Sequence, residues 1–412
     1  MRYVVQVQSG QVEKATAALG ELKVMPVSRT FNYITIDIPK DLVPKVKALP
    51  YVVNVVPEQL SAIRYVAMPV EAKFSEFIHL LLSNPITGPA KAMRFALQAD
   101  AGKQRIPTSV SRKMVGADVA EADGMTGKGI KIAVLDTGTS YDFLFQGAFA
   151  GGKSSMPGQP LPLDEVGHGT HVQTTIAGKP FKSIHGLLLG VAPEATVASF
   201  KVLGGGLGLG TTTSILQGLQ NALNWGADVI NMSLGGPEPD DYLQEPQCQV
   251  VAQLTRMGKI ICVAAGNDGP GSHTIGCPGN CPEALTVGAV DMDGRICEFS
   301  SRGPSKAGFI KPDVVAPGQD ILSTSAGYIA AMQVADGPPS LAAISGTSMA
   351  TPNSTVVALA LQYARTRGKD LTTEHIKEAM DLFGEHAGSK NNDYGWGLIS
   401  YPLLKRYVDE RL

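Results

Sequence analysis

"IKIAVLD", residues 130 to 136, is apolar at five of its seven positions and closes on a carboxylate. A strand with one face in water alternates apolar and polar residues. A run this continuous reads as a strand covered on both faces, hence a parallel sheet between helical layers. Four more runs share the character: ATVASFKVL (195 to 203), ADVINMSL (227 to 234), KIICVAAGN (259 to 267) and ALTVGAV (284 to 290). Helical spacing fills the gaps at 214 to 225 and roughly 249 to 257. The expected architecture is a three-layer α/β domain with a parallel sheet. Ligands of such domains bind at the carboxyl ends of the strands, where Asp136, Ser233 and Asn267 fall.

Toward the amino terminus the pattern changes. YVVQVQ (3 to 8), FNYITID (31 to 37) and YVVNVV (51 to 56) read as strands, while 11 to 20 and 40 to 48 have helical spacing. With a strand between the first helix and FNYITID, the order is that of a small ferredoxin-like α+β unit ending near Pro57. Residues 66 to about 105 then carry two short amphipathic helical stretches divided by Asn84 and Pro85. The expected organisation is a small domain over 1–65, a helical connecting segment over 66–105 and a large domain over 106–412.

At 412 residues and 44% hydrophobic content, the chain can bury a large core. Thirty-five basic and thirty-seven acidic residues leave a formal charge of −2 without a basic block, so neither nucleic acid nor an anionic membrane surface is an expected partner. No apolar run approaches the 18 or so residues of a spanning helix, and "MRYVVQVQSG" lacks the pattern of a signal peptide. As written, the chain is expected to stay in the compartment where it is made; it would be secreted if a signal had been removed. Of five cysteines, Cys262 lies in an apolar strand pattern and reads as a buried thiol. Cys277 and Cys281 flank "PGN", where a turn would let them pair, and a zinc site is not expected without a second pair.

Three segments combine glycines, short side chains and a reactive group. They are "AVLDTGTS" with Asp136, "EVGHGTHVQTTIAG" with His168 and His171, and "AISGTSMATPNSTVV" (343 to 357), which carries six hydroxyls between Ser345 and Thr355. A serine hydroxyl becomes a nucleophile only when an imidazole takes its proton and a carboxylate fixes that ring. Here the order is Asp136, His168, Ser348. Ser348 is the expected nucleophile because it sits among small residues just before Pro352, which is tolerated in a helix's first turn and would put the hydroxyl at a helix amino terminus. Ser345, Thr347 and Thr351 read as capping groups. His171, one turn beyond His168, reads as a packed helix residue.

"VLDTG", "GHGTHV", "AAGNDG" and "SGTSMATP" together resemble the signature segments of the subtilisin-like serine peptidases, over roughly residues 106 to 405, and the first 65 residues resemble that family's inhibitory propeptide. The resemblance implies a serine endopeptidase made as a zymogen. Asp136 would orient His168, His168 would act as general base and then acid, and Ser348 would be acylated. Asn267 would donate to the oxyanion beside the Ser348 backbone N–H. Ser233, Leu234 and Gly235 would pair with an extended substrate on one side, and Gly208, Leu209 and Gly210 on the other. Ala264, Ala265 and Gly266 would wall the pocket for the residue before the scissile bond, with Gly276 near its floor. Specificity is expected to be broad and to favour apolar side chains.

Where the family has small residues after the histidine, this chain has Gln173 and Thr174; after the serine it has Asn353, Ser354, Thr355 and Val356. The two helices are therefore expected to pack at altered spacing. No cofactor is expected for catalysis. Calcium is not expected at the usual tight site, because Asp142-Phe143-Leu144-Phe145 and "FKSIHGLLLGVAP" offer phenylalanine and leucine where a hard cation needs oxygens; calcium at another, unassigned site is compatible with the resemblance. Self-cleavage is expected after Tyr65, with Met68 as second choice, leaving the first domain bound as an inhibitor. Two other functions compete: a catalytically silent binder of extended peptides, and a dedicated maturase of one partner peptide.

Overall fold

Tyr3, Val5 and Val7 alternate with Val4 along the first strand, and this two-residue period gives the sheet they start two apolar faces. The strands are β1 (Arg2–Val7), β2 (Pro26–Thr30), β3 (Tyr33–Asp37) and β4 (Val52–Pro57), with helices α1 (Val12–Glu21) and α2 (Val43–Lys47) between them. All pairings are antiparallel and the order is β2-β3-β1-β4, the ferredoxin-like arrangement expected. Tyr3, Val5, Val7, Ile34 and Ile36 pack with Ala15, Leu19 and Val46 of the helices. Val4 and Tyr33 face the other way and join the core of the large unit. The computed structural model describes residues 1–63, 104–140, 149–205, 208–327, 329 and 340–412. The 66–105 segment lies almost wholly outside the described residues, as does the 142–145 loop.

The large unit is built on a seven-stranded, all-parallel sheet. Its strands in chain order are β6 (Lys131–Asp136), β7 (Phe149–Ser154), β8 (Thr196–Lys201), β10 (Val229–Met232), β12 (Ile260–Ala264), β13 (Leu285–Val290) and β14 (Val314–Pro317). The spatial order is β14-β13-β12-β10-β6-β8-β7. The five apolar runs form the five central strands, buried at almost every position. The edges escape the sequence pattern: β7 is FAGGKS, too rich in glycine, and β14 is VVAP, too short. Among the described residues no helix is long and apolar enough to cross a membrane.

Four helices frame the carboxyl ends of these strands: α3 (His168–Ala177), α4 (Thr212–Trp225), α5 (Pro246–Arg256) and α6 (Thr347–Asn353). The small unit sits against α4 and α5. Thr35 and Thr213 share a hydroxyl contact of 3.0 Å, Tyr33 meets Gln249, and Asn54 Nδ2 donates to Gln244 Oε1 at 2.6 Å. Glu58 Oε1 accepts from Thr213 N at 3.1 Å, placing a carboxylate in the first turn of α4, where free N–H groups and the helix dipole favour it.

The cysteines depart from expectation. The bridge joins Cys248 of α5 to Cys281, with Cα atoms 5.4 Å apart, and not Cys277 to Cys281. Cys277 is a buried thiol whose sulfur lies 4.0 Å from that of Cys248. Sequence closeness favoured the wrong partner because α5 returns Cys248 across 33 residues to the same turn.

Candidate active site

Asp136 is the last residue of β6, paired in register with Lys201, and His168 opens α3. Helix α3 starts abruptly because Gly167 holds φ +102°, a left-handed conformation; a side chain there would also strike the Ala326 carbonyl. Gly169 lets the helix touch the turn after Asp136, since an added Cβ would lie 2.3 Å from the Gly138 carbonyl. The result is an Asp136 Oδ1 to His168 Nδ1 contact of 2.8 Å, with both side chains fully buried. Thr137 N donates to the same carboxylate oxygen at 2.7 Å.

Ser348 is the second residue of α6, at the helix amino terminus as expected. Pro352 lies deeper than the first turn, however, as the sixth residue of the helix. There it has a specific effect: lacking an N–H, it leaves the Ser348 carbonyl, four residues back, without its helical partner. The Ser233 hydroxyl takes that carbonyl at 2.9 Å, and Ser348 Oγ donates to the Ser233 carbonyl at 2.9 Å. These reciprocal bonds fasten the start of α6 to the strand end after β10.

Asn267 follows β12 and is held by one end of its amide. Its Oδ1 accepts from Thr347 N at 2.9 Å and Thr347 Oγ1 at 3.0 Å, while its Nδ2 is buried and has no hydrogen-bond partner among the described residues. His171 behaves as a packed helix residue. Its Nε2–H donates to the Ile321 and Ala342 carbonyls at 2.9 and 3.2 Å, and burial pushes its pKa down to about 3.

The cleft strands are β9 (Leu209–Thr211) and β11 (Leu234–Gly235), and between them runs β5 (Leu60–Ile63), the continuation of the small unit. It pairs antiparallel with both: Leu209 with Ala62, Gly210 with Ser61 and Thr211 with Leu60 on one side, Leu234 with Ile63 and Gly235 with Ala62 on the other. Gly208 stands outside the ladder, in a turn closed by its N–H to the Gly205 carbonyl, and Thr211 takes the third place. Ala264, Ala265 and Gly266 run past the end of β12, and Gly276 N donates to the Ala265 carbonyl at 2.9 Å, which sets Gly276 against that wall. With β5 in the cleft, Asp136, His168 and Ser348 are all fully buried. Tyr65 and Met68 lie outside the described residues.

Gln173 and Thr174 direct their polar groups to different partners. Gln173 Nε2 donates to the Gly138 carbonyl at 2.7 Å, and Thr174 Oγ1 meets Thr324. Sequence reasoning missed three further groups here: Asp164, Thr137 and the fully buried Lys201, whose ammonium donates to the Thr137 carbonyl and contacts Glu165 Oε2 at 2.7 Å. One signal for Asp164 was available: Gly167 has no side chain to cap α3, so an acceptor had to come from nearby.

The model of the Subtilase family matches residues 127–397. The chain is 38% identical over 303 residues to Subtilisin Savinase of Lederbergia lenta, covering 74% of this chain and all of that protein. It is 38% identical to an Alkaline protease of Alkalihalobacillus alcalophilus (74% of this chain, 70% of the relative) and 36% identical to Serine protease AprX of Bacillus subtilis (68% and 67%). The match spans the parallel sheet and the segments holding Asp136, His168, Asn267 and Ser348; the chain belongs to the subtilase family and is a serine endopeptidase.

Proposed function

We propose that the chain cleaves peptide bonds through an acyl-enzyme on Ser348, and that it is made as a zymogen restrained by its own first domain. Ser348 Oγ leaves the Ser233 carbonyl, attacks the substrate carbonyl carbon and gives its proton to His168 Nε2. Asp136 holds the Nδ1–H of that ring and balances the charge of the imidazolium. The carbon–nitrogen bond breaks as His168 passes the proton to the leaving amine; water, deprotonated by the same ring, then hydrolyses the ester. No cofactor enters these steps.

The observation that carries the reading is the Asn267 amide. An unpartnered buried donor costs about 1–3 kcal/mol. Its Oδ1 is pinned by Thr347, so its Nδ2 is fixed in direction, as a donor to a charge that appears only during the reaction must be. The test is fluorophosphonate labelling of the matured protein followed by peptide mapping. Modification at Ser348, absent in Ser348→Ala, supports the reading; an inert Ser348 after removal of the first domain supports the silent peptide binder.

The zymogen reading rests on β5, which holds both cleft edges with main-chain bonds that any extended substrate would need. We propose self-cleavage after Tyr65, an aromatic side chain suited to the apolar wall at Ala264 to Gly266, leaving 1–65 as inhibitor and the catalytic domain, 106–412, behind the connecting segment 66–105. Intact mass decides. A new amino terminus at Val66 supports this cut, whereas one at Tyr65 or at any other residue refutes Tyr65 as the cleavage residue. A stable, active, uncut chain refutes the scheme. Because the pairing is through backbone, specificity is broad and favours apolar residues; a peptide library cut at a single sequence would favour the maturase.

A further inference from the structure

Asp164 is a buried carboxylate, 8% exposed, that forms no ion pair among the described residues, yet it collects five hydrogen bonds. Oδ1 accepts from Thr137 Oγ1 at 2.8 Å, Gly167 N at 2.7 Å and Val166 N at 3.1 Å. Oδ2 accepts from Thr170 N at 2.8 Å and Thr170 Oγ1 at 2.6 Å. These donors belong to two pieces of chain, and Asp164 is bonded to both. Thr137 directly follows Asp136, while Gly167 and Thr170 flank His168 in the first turn of α3.

The bridge has a second course. While its O–H donates to Asp164, the Thr137 hydroxyl oxygen accepts from Gly169 N at 2.9 Å. The Thr170 hydroxyl, likewise committed to Asp164, accepts from Ser140 N at 3.0 Å. Each hydroxyl is polarised in one sense by the carboxylate, and each hands its lone pair to a backbone N–H across the junction. The other end of Thr137 is fixed as well, through Lys201 to Glu165, the neighbour of Asp164. A neutral amide at 164 could not serve five donors: whichever of the two hydroxyls faces its nitrogen would have to accept instead of donate, which reverses that relay.

We propose that Asp164 is a positioning residue of the active site: by locking the Asp136 turn onto the first turn of α3, it fixes the Asp136–His168 contact from which the proton of Ser348 is moved. It touches neither substrate nor reacting atoms and acts through Thr137 and the helix start. The proposal rests on the roles given to Asp136, His168 and Ser348 above.

The test compares Asp164→Asn, Thr137→Val, the double variant and Thr137→Ser, each matured from the full chain and assayed on a peptide anilide, with rates expressed per site titrated by fluorophosphonate. A misplacement of about 1 Å can cost on the order of 100-fold in rate. Asp164→Asn and Thr137→Val should each lower kcat by roughly 10- to 100-fold with KM within about twofold. The double variant should lose no more than the worse single one, because both cut the same link. Thr137→Ser, which restores the hydroxyl, should recover most of the loss. If the variants only melt earlier and keep wild-type kcat per titrated site, Asp164 is a structural cap and the proposal fails. Additive losses also overturn it. If Asp164→Asn does not fold, Thr137→Val against Thr137→Ser carries the same comparison. Wild-type protein that is not labelled at Ser348 would refute the catalytic reading itself, an outcome distinct from labelled protein indifferent to residue 164.

Discussion

Replacing Asn267 by alanine separates catalysis from stability, and the two magnitudes can be set against each other. The variant loses the acceptor for Thr347 N and Thr347 Oγ1, two bonds worth about 1 kcal/mol each. It also removes the buried, unpartnered Nδ2, relieving about 1–3 kcal/mol. Folding stability should therefore change little. The barrier to acylation should rise by about 2.7–4 kcal/mol, a range established on a subtilisin and carried over, which is roughly 100- to 1,000-fold in kcat. KM should stay within about twofold, since the donor serves the transition state more than bound substrate. Asn267→Asp provides the control: it keeps an acceptor for Thr347 and turns the outward donor into an acceptor, so its rate should fall at least as far. Steady-state kinetics on a peptide anilide, beside urea unfolding of the same samples, reads both quantities. A loss confined to KM, or a kcat within about threefold of wild type, would refute the assignment of Asn267 as an oxyanion donor.

Other outcomes follow from buried charge and sulfur. Glu245, 4% exposed at the start of α5, has its carboxyl pushed up to about 7 by burial. A raised carboxyl favours the fold while protonated, so its contribution is full below about 4.5 and lost as pH rises to 7; in a Ser348→Ala background, Glu245→Gln should match its parent near pH 4 and exceed it at pH 8 by about 3 kcal/mol at most. Equal stability at both pH values would contradict this. Burial alone would raise the carboxyl of Asp313, but Lys311, Lys377 and Lys390 at 2.6, 3.6 and 2.6 Å hold it well below the usual range. Asp313→Asn leaves three ammonium groups without their anion and should cost about 3–5 kcal/mol in urea unfolding, with a loss under about 1 kcal/mol showing that the lysines simply turn to solvent. A thiol reagent should find almost nothing in the native protein and three groups after denaturation, Cys262, Cys277 and Cys297, with two more only after reduction. Five without reduction would remove the Cys248–Cys281 bridge.

The central strands were legible because burial on both faces leaves an unbroken apolar run, as in IICVA, whereas FAGGKS and VVAP at the sheet edges carry no such signal. The site divided in the same way. Asp136, His168, Asn267 and Ser348 lie in local motifs whose chemistry is visible in a few residues. Asp164 was not legible as part of it, because its meaning depends on Thr137, 27 positions earlier and brought to it only by the sheet. Pro352 shows the reverse case: its importance was legible, but its position within the helix, and the carbonyl it frees for Ser233, needed the three-dimensional start of α6.

Because β5 is covalently continuous with the protein whose cleft it fills, its hold on that cleft does not depend on how much protein is present. The strand is presented from within the same molecule, at an effective concentration set by the chain and not by the amount of protein, so diluting the uncut chain releases nothing. Severing the link between Ile63 and the large unit changes the law without changing a contact. The Glu58, Thr35 and Asn54 bonds to α4 and its neighbours then compete with dilution as an ordinary two-body equilibrium. A single cut would thus convert restraint that is indifferent to concentration into restraint that fades as the molecules spread apart.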